Sequence, residues 1–325
     1  DEAVRPYVAL RWDGTNDQRP TLHLDDVSGI PFLVDIAGVE QYQHRARVRA
    51  GDGDFFAAST AATPGYEEYC TDVLGMGSPE MLLAAPGKNK LAVADGLGHG
   101  PLFERLVAAA KGGGGLVIHP YMGIEDVWQL AAKIGDASGQ PVTVIAPPPA
   151  VTWIANDKQA FGRVVEFVLG DGWLVETHTT TDPEAMARAL RLLAHRHDRV
   201  GLKRTRCASA MGNQVFARDE IASRSDEELH QLVEEFLERT EWPSGEEVLA
   251  VAWESTDLSP STQLWIPPAG TGAPVLEGIY EQILEGPQKV FLGSRPSGLP
   301  GPVNEALARS ALAVAAGLQL SLIHI

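Results

Sequence analysis

Residues 200–216 read Val200-Gly201-Leu202-Lys203, then Arg204-Thr205-Arg206-Cys207-Ala208-Ser209-Ala210-Met211, then Gly212-Asn213-Gln214-Val215-Phe216. Two short apolar runs flank a loop of small and basic residues, 204–212, and such runs pair as a hairpin. Side chains alternate along a strand, so Val200 and Leu202 point to one face while Gly201 and Lys203 point to the other. A lysine that ends a buried strand is costly to desolvate unless its ammonium meets an anion. The loop beyond it offers backbone N–H groups and the Ser209 hydroxyl to phosphate oxygens. The competing reading is an exposed basic hairpin, with Arg204 and Arg206 in water.

Upstream, Asn156 or Asp157 caps a helix that carries Phe161, Val164, Val165 and Val168 and closes at Gly170. Lys158 falls in its first turn, where a cation opposes the helix dipole but where phosphate is also readily bound. Asp182-Pro183 opens a second helix with Met186, Ala189, Leu190 and Leu193 inward. Ser225-Asp226-Glu227-Glu228 forms a capping box before Leu229, Leu232, Val233, Phe236 and Leu237. Strands are expected at Trp173–Glu176, Val200–Lys203, Asn213–Phe216, Glu247–Trp253 and Thr262–Ile266. Hairpins mixed with helices indicate an α+β unit.

Before residue 150 the grammar differs. Residues 1–30 are polar and lack clear periodicity. Phe32–Ile36, Gly115–His119 and Val142–Ala146 are short, rich in β-branched residues and bounded by Gly or Pro, as buried parallel strands are. Between the last two, Val127, Leu130, Ala131 and Ile134 recur at helical spacing, with Gly135 as the expected C-cap. Strand, helix and strand over about 30 residues make a βαβ unit of a parallel sheet. Pro147-Pro148-Pro149 marks a stiff boundary. The expected organisation is therefore a polar segment over 1–30, a Rossmann-like α/β domain over 31–150, and a second domain over 151–325. The start at Asp1 and the end at Ser321-Leu322-Ile323-His324-Ile325 lead us to expect a fragment cut within its last domain.

The chain of 325 residues carries 26 basic and 43 acidic side chains, a net charge of −17. Such a chain is repelled by nucleic-acid backbones and anionic membranes, so neither is an expected partner. No apolar run reaches the roughly 18 residues of a membrane span. Two cysteines, Cys70 and Cys207, fit a reducing compartment, and a cytoplasmic location is expected. The P-loop, HExxH and GxSxG signatures and paired CxxC motifs are missing. The glycines of 96–100 and 112–115 fit turns better than a dinucleotide fingerprint. His195 and His197 close a helix and are expected to face solvent.

Taken in order, these pieces resemble the ATP-grasp fold preceded by the smaller α/β unit called a pre-ATP-grasp domain. The resemblance covers most of the chain after about residue 30 and is strongest from Asn156 to Gly293. It implies that Lys158 and Lys203 approach ATP phosphates, that Ser209, Gly212 and Asn213 belong to a loop covering them, and that Trp253 and Glu254 seat the nucleoside. Ser259-Pro260-Ser261-Thr262-Gln263, Gln282 and Gly293-Ser294 resemble peptide-bond-forming members. Two departures stand out. Ala210 occupies a common glycine position, and the family's Mg²⁺ carboxylates lie beyond a helix like Val303–Leu318, past the end of this chain. Glu277 and Glu281 look like exposed acids on a polar turn.

The resemblance implies an ATP- and Mg²⁺-dependent ligase that activates a small-molecule carboxylate and joins it to an amine or peptide. The alternative is a non-catalytic nucleotide-binding module with a degenerate site. A sugar-nucleotide transferase is a weaker rival, since it needs a second Rossmann half after residue 150. The residues name no catalytic side chain, no metal ligand within the chain and no oligomeric state.

Overall fold

The computed structural model describes residues 18–31, 33, 36–85, 87–207, 211–285 and 290–321. The chain divides into two compact units, with the change from one to the other between Trp153 and Ile154.

The first unit holds a parallel sheet of strands β1 (Thr21–Leu24), β2 (Phe55–Ala58), β3 (Glu80–Leu83), β4 (Leu116–Pro120) and β5 (Val142–Val144), in the order β3-β2-β1-β4-β5. A 3₁₀ helix (Val39–Arg49) follows β1, and α1 (Tyr66–Glu68) runs into a π-helical turn (Tyr69–Val73) after β2. Helices α2 (Val93–Gly96) and α3 (Gly100–Gly112) follow β3, and α4 (Glu125–Ser138) joins β4 to β5. Leu22, Leu24, Leu106, Leu116, Ile118 and Ile134 are fully buried together, so β1 and β4 form the centre of this core. The order reverses between β1 and β4, as in doubly wound sheets.

β1 lies within the segment 1–30, which the sequence marks only as polar and without clear periodicity. Its sequence Thr-Leu-His-Leu offers only two apolar side chains, and two aspartates follow directly. Both aspartates are fully buried. Asp25 pairs with Arg45 at 3.2 Å and with Arg49. Asp26 accepts from the Ser28 hydroxyl (2.6 Å), the Ser28 amide (3.0 Å) and the Ala94 amide (2.9 Å), while burial pushes its pKa above the ordinary value. Phe32, Val34 and Asp35 of the expected strand 32–36 lie outside the described residues, and Leu33 sits in a 3₁₀ turn instead. Helix α4 also runs past Gly135 to Ser138, and Gly139, at φ 68°, supplies the left-handed cap.

Helix α5 (Pro149–Asn156) precedes α6 (Lys158–Leu169), the first helix wholly within the second unit. An antiparallel sheet of β6 (Thr177–Thr180), β7 (Arg199–Arg204), β8 (Asn213–Ala217) and β9 (Val248–Ala252) has the order β6-β9-β7-β8. Helices α7 (Pro183–Ala194), α8 (Arg218–Ala222) and α9 (Asp226–Arg239) complete this half. Val200 and Leu202 from β7, and Val248, Ala250 and Ala252 from β9, pack on Leu190, Leu193, Val233 and Phe236 of α7 and α9. One face of the sheet is thus the core, and the other faces away from it.

A meander of β10 (Pro260–Trp265), β11 (Val275–Glu285) and β12 (Val290–Pro296) packs on α10 (Gly301–Ser321) through Leu264, Leu276, Ile279, Leu307 and Ala308. Gln319 donates to the carbonyls of Pro267 and Gly272, both at 2.8 Å, and so pins the β10–β11 loop. A Cβ on Gly317 would lie 2.8 Å from Val168 Cγ2, so a glycine lets α10 approach α6 closely.

Three further expectations are corrected. Trp173–Glu176 is not a strand; Thr177–Thr180 is, because its β-branched threonines pair with β9 while Trp173, Leu174 and Val175 remain exposed. Glu277 and Glu281 lie within strand β11 rather than on a turn, and Glu281 is buried against Arg295 at 3.0 Å. His197 does not simply face solvent but meets the Glu176 carboxylate at 2.8 Å.

Phe236 is 0% exposed in the α7–α9 core. Phe236→Ala should lower the stability of the second unit by about 3–5 kcal/mol in urea denaturation, the cost of a large buried ring and the cavity left behind. A loss below about 1 kcal/mol would show that this face is not the core.

Candidate functional site

The alternation along β7 builds the site. Gly201 and Lys203 stand on the face turned away from α7 and α9, beside Leu249 and Val251 of β9. Thr177 and Thr179 of β6 pair with Val251 and Leu249, and so continue that face to the sheet edge. Helix α6 lies across it and closes a cleft of about 540 Å³. Lys158, Gln159, Lys203, Thr177 and Thr179 all line this cleft.

Asp157 starts α6 by accepting from the amides of Gln159 and Ala160, each at 3.0 Å. Its other oxygen takes the Arg206 guanidinium at 3.1 Å, which ties the helix start to the β7–β8 loop. Lys158 follows as the first helical residue. Its amide donates to the Thr205 carbonyl at 3.0 Å, and its ammonium to the carbonyls of Thr205 and Cys207, both at 3.4 Å. The Cys207 sulfur lies 3.5 Å from the same ammonium. One lysine therefore anchors the loop at both backbone and side chain.

Lys203 is half-buried and has no carboxylate or hydrogen-bond partner among the described residues. Its Nζ lies 4.5 Å from the centroid of the Trp253 ring. Burial first, and the Lys158 charge second, hold its pKa below the lysine value of 10.5, with Cys207 opposing. The third cation lining the cleft, Arg163, pairs with Glu247 at 3.4 Å, and the lining carboxylate of Glu176 is taken up by Arg196 and His197. Glu166 and Asp171 also line the cleft. Lys158 and Lys203 remain as ammonium groups without a carboxylate, which is what an anionic ligand requires.

The expected site residues divide into two sets. Lys158 and Lys203 are brought together. Asn213 stands directly opposite Lys203 across the hairpin, and its buried Oδ1 has no hydrogen-bond partner. Gly212 packs where a Cβ would collide with the Cys207 sulfur, and its carbonyl accepts from the Arg204 amide at 2.9 Å. Ser209 lies outside the described residues. Trp253 sits beneath Lys203. Glu254, beyond the end of β9, is exposed and makes no side-chain hydrogen bond or ion pair among the described residues.

Arg204 and Arg206 do not form a free basic surface. Arg204 points into the core side, where it is buried, donates to the Thr240 carbonyl at 2.6 Å and pairs with Glu246. Gln159, Thr177 and Thr179 went unread in the sequence. Gln159 accepts from the Thr179 hydroxyl at 2.9 Å and so links α6 to β6. The period-2 spacing of Thr177 and Thr179 was the available signal, once the strand is placed at 177–180.

Among the described residues, no group of three or more His, Cys, Asp or Glu side chains could hold a metal ion. The donor set among the described residues does not fit Mg²⁺ by itself. No helix among the described residues is long and apolar enough to cross a membrane.

Residues 43–135, within the first unit, match the family model described as a pre-ATP-grasp domain. A biotin carboxylase–β,γ-ATP complex from Campylobacter jejuni superposes with a TM-score of 0.51 at 14% identity, over 82% of this chain and 53% of that one. N5-carboxyaminoimidazole synthetase from Staphylococcus aureus gives 0.46 at 10% identity, over 96% and 65%. D-alanyl-alanine synthetase A from Vibrio cholerae O1 biovar eltor gives 0.44 at 11%, over 62% and 59%. The chain thus spans between half and two-thirds of each of these proteins. A comparison with curated proteins gives no match.

Because Lys203 is penalised by burial when charged, Lys203→Met should leave the ligand-free protein at least as stable as the parent at neutral pH. A lysine whose folded pKa is depressed binds its proton less well in the fold than in the unfolded chain. The parent therefore gains stability as pH rises from the folded pKa toward 10.5, and the advantage of Lys203→Met should shrink over that window. Urea denaturation as a function of pH reads both effects, and a marked loss of stability in Lys203→Met at pH 7 would contradict the assignment.

Proposed function

We propose that this chain, an ATP-grasp fold behind a pre-ATP-grasp domain, is the nucleotide-binding part of a ligase that activates a carboxylate as an acyl phosphate and joins it to an amine. The observation that carries this reading is the convergence of Lys158 and Lys203 on one cleft without a carboxylate partner for either. In this reading the two ammonium groups neutralise the phosphates of ATP. Asn213, beside Lys203, supplies a buried polar atom that lacks a partner, and the Gly212 turn lets the loop follow the phosphates closely. Glu254, next to Trp253 beyond the end of β9, reads the base or ribose in this proposal.

The chemistry proceeds by attack of a carboxylate oxygen on the terminal phosphorus, with ADP leaving. The amine then attacks the acyl carbon, phosphate leaves, and the amine proton is lost. The protein's part is electrostatic: fixed cations aimed at charge that spreads over the transferring phosphoryl group, in a cleft partly closed to water. Mg²⁺, when bound, would supply further positive charge to such chemistry. The substrates fitting this scheme are a small carboxylate and an amine or peptide.

One observation favours the second reading, a nucleotide-binding module without turnover. No metal-holding carboxylate cluster occurs among the described residues. The two readings share the cleft and differ in chemistry.

ATP with Mg²⁺ should raise the melting temperature, since a ligand at about 100 times its dissociation constant adds roughly 2.7 kcal/mol of stability. Lys203→Met and Lys158→Met should each lose most of that gain. Hydroxylamine added with ATP and a set of amino-acid carboxylates should trap the acyl phosphate as a hydroxamate. Stabilisation without hydroxamate supports the binding module. No stabilisation in the parent, or full stabilisation in both variants, would contradict the cleft as the ATP site.

A further inference from the structure

We infer that Trp253 is a positioning residue, whose indole face holds the Lys203 ammonium over the cleft, and that the bare backbone of Gly201 leaves room for that ring. The consequence for phosphate binding rests on the reading proposed above; the contact itself does not.

Three observations place the ring. The Trp253 amide donates to the Arg199 carbonyl at 3.0 Å, which pins the residue to the start of β7. A Cβ on Gly201 would lie 2.9 Å from Trp253 Cε3, 3.4 Å from Cζ3 and 3.0 Å from the Gln214 carbonyl oxygen, so the indole and the β8 backbone both close on bare backbone at this position. Lys203 Nζ is then 4.5 Å from the ring centroid. Gly201 and Lys203 share one face of the strand, two residues apart. The lysine side chain therefore reaches back along β7 to the ring that Gly201 admits.

The choice of an aromatic partner has a physical consequence. A carboxylate would hold the ammonium more firmly, but it would neutralise the charge and compete with an incoming anion. The π face attracts the cation without cancelling its charge. It also favours the protonated form, against burial and the nearby Lys158, which act the other way. A side chain at 201 would have to displace the ring as well as crowd the Gln214 carbonyl, and a displaced ring no longer seats the ammonium.

The test is site-resolved acetylation of Lys203 by acetic anhydride across roughly pH 7–11, read by mass spectrometry with Lys88 as the internal reference. Removing the ring's attraction disfavours the ammonium, so in Trp253→Leu the Lys203 midpoint should fall by roughly 0.5–1.5 pH units. Trp253→Phe, which keeps a π face, should recover most of the shift, and a lost packing contact alone would not distinguish Leu from Phe in this way. Gly201→Ala retains the indole but displaces it and should move the midpoint in the same direction. It also tests the contact if Trp253→Leu does not fold.

Binding of inorganic triphosphate, measured by calorimetry on the same proteins, should weaken in Trp253→Leu and recover in Trp253→Phe. A Lys203 midpoint unmoved in both Trp253→Leu and Gly201→Ala would overturn the inference. A moved midpoint in a protein whose parent form binds no triphosphate would uphold the Trp253–Lys203 contact and overturn the phosphate reading of the cleft.

Discussion

Strand β7 has two faces with opposite obligations. Val200 and Leu202 must be dry against α7 and α9, and Arg204 reaches the same side only because Thr240 and Glu246 satisfy its guanidinium. Gly201 and Lys203 are thereby forced to the other face. A slip of one residue would exchange the two sets, placing a lysine in the core and two large apolar side chains in the cleft. Pairing on both sides, with β8 from Arg199↔Ala217 to Lys203↔Asn213 and with β9 from Val200↔Ala252 to Arg204↔Val248, makes that slip prohibitive. The position of Lys203 is thus set by the hydrophobic core behind it.

The second cation arrives by a separate route. Asp157 caps α6 and also binds Arg206, and Lys158 holds the backbone of Thr205 and Cys207. The helix start and the β7–β8 loop are therefore one assembly, although nearly fifty residues separate them in sequence. A lysine at the first turn of a helix is locally unfavourable. Here the cation is used twice, once to fix the loop and once to charge the cleft. At this helix start local preference yields to tertiary contact.

Much of this was legible in the sequence because strong local signals agreed with the final packing. Asp157, Asp182 and the Ser225–Glu228 box each cap the helix expected of them, with their side chains accepting backbone N–H groups. The 200–216 hairpin follows from two short apolar runs flanking the 204–212 loop, and the alternation along Val200–Lys203 assigns its faces. The failures have physical causes. β1 is four residues long, and the buried carboxylates of Asp25 and Asp26 after it read as solvent-exposed until Arg45, Arg49, Ser28 and Ala94 are in place. β6 is a threonine run at a sheet edge, outweighed on paper by the apolar but exposed Trp173-Leu174-Val175. In β11, Gly278 looks like a turn, yet the Tyr280 ring occupies the space where its Cβ would be. Trp253 could be placed at the site but not in its role, because cross-strand stacking over Gly201 is invisible in a linear pattern.

The account depends on the outer face of the β6-β9-β7-β8 sheet being the nucleotide-binding surface. Hydrogen–deuterium exchange with and without ATP and Mg²⁺ tests this directly, since it reports on each segment without presupposing turnover. Bound nucleotide should slow exchange in the first turn of α6, in the β7–β8 hairpin around Lys203 and Asn213, and at residues 253–256. Exchange that is unchanged there, or slowed only within residues 14–153, would contradict it.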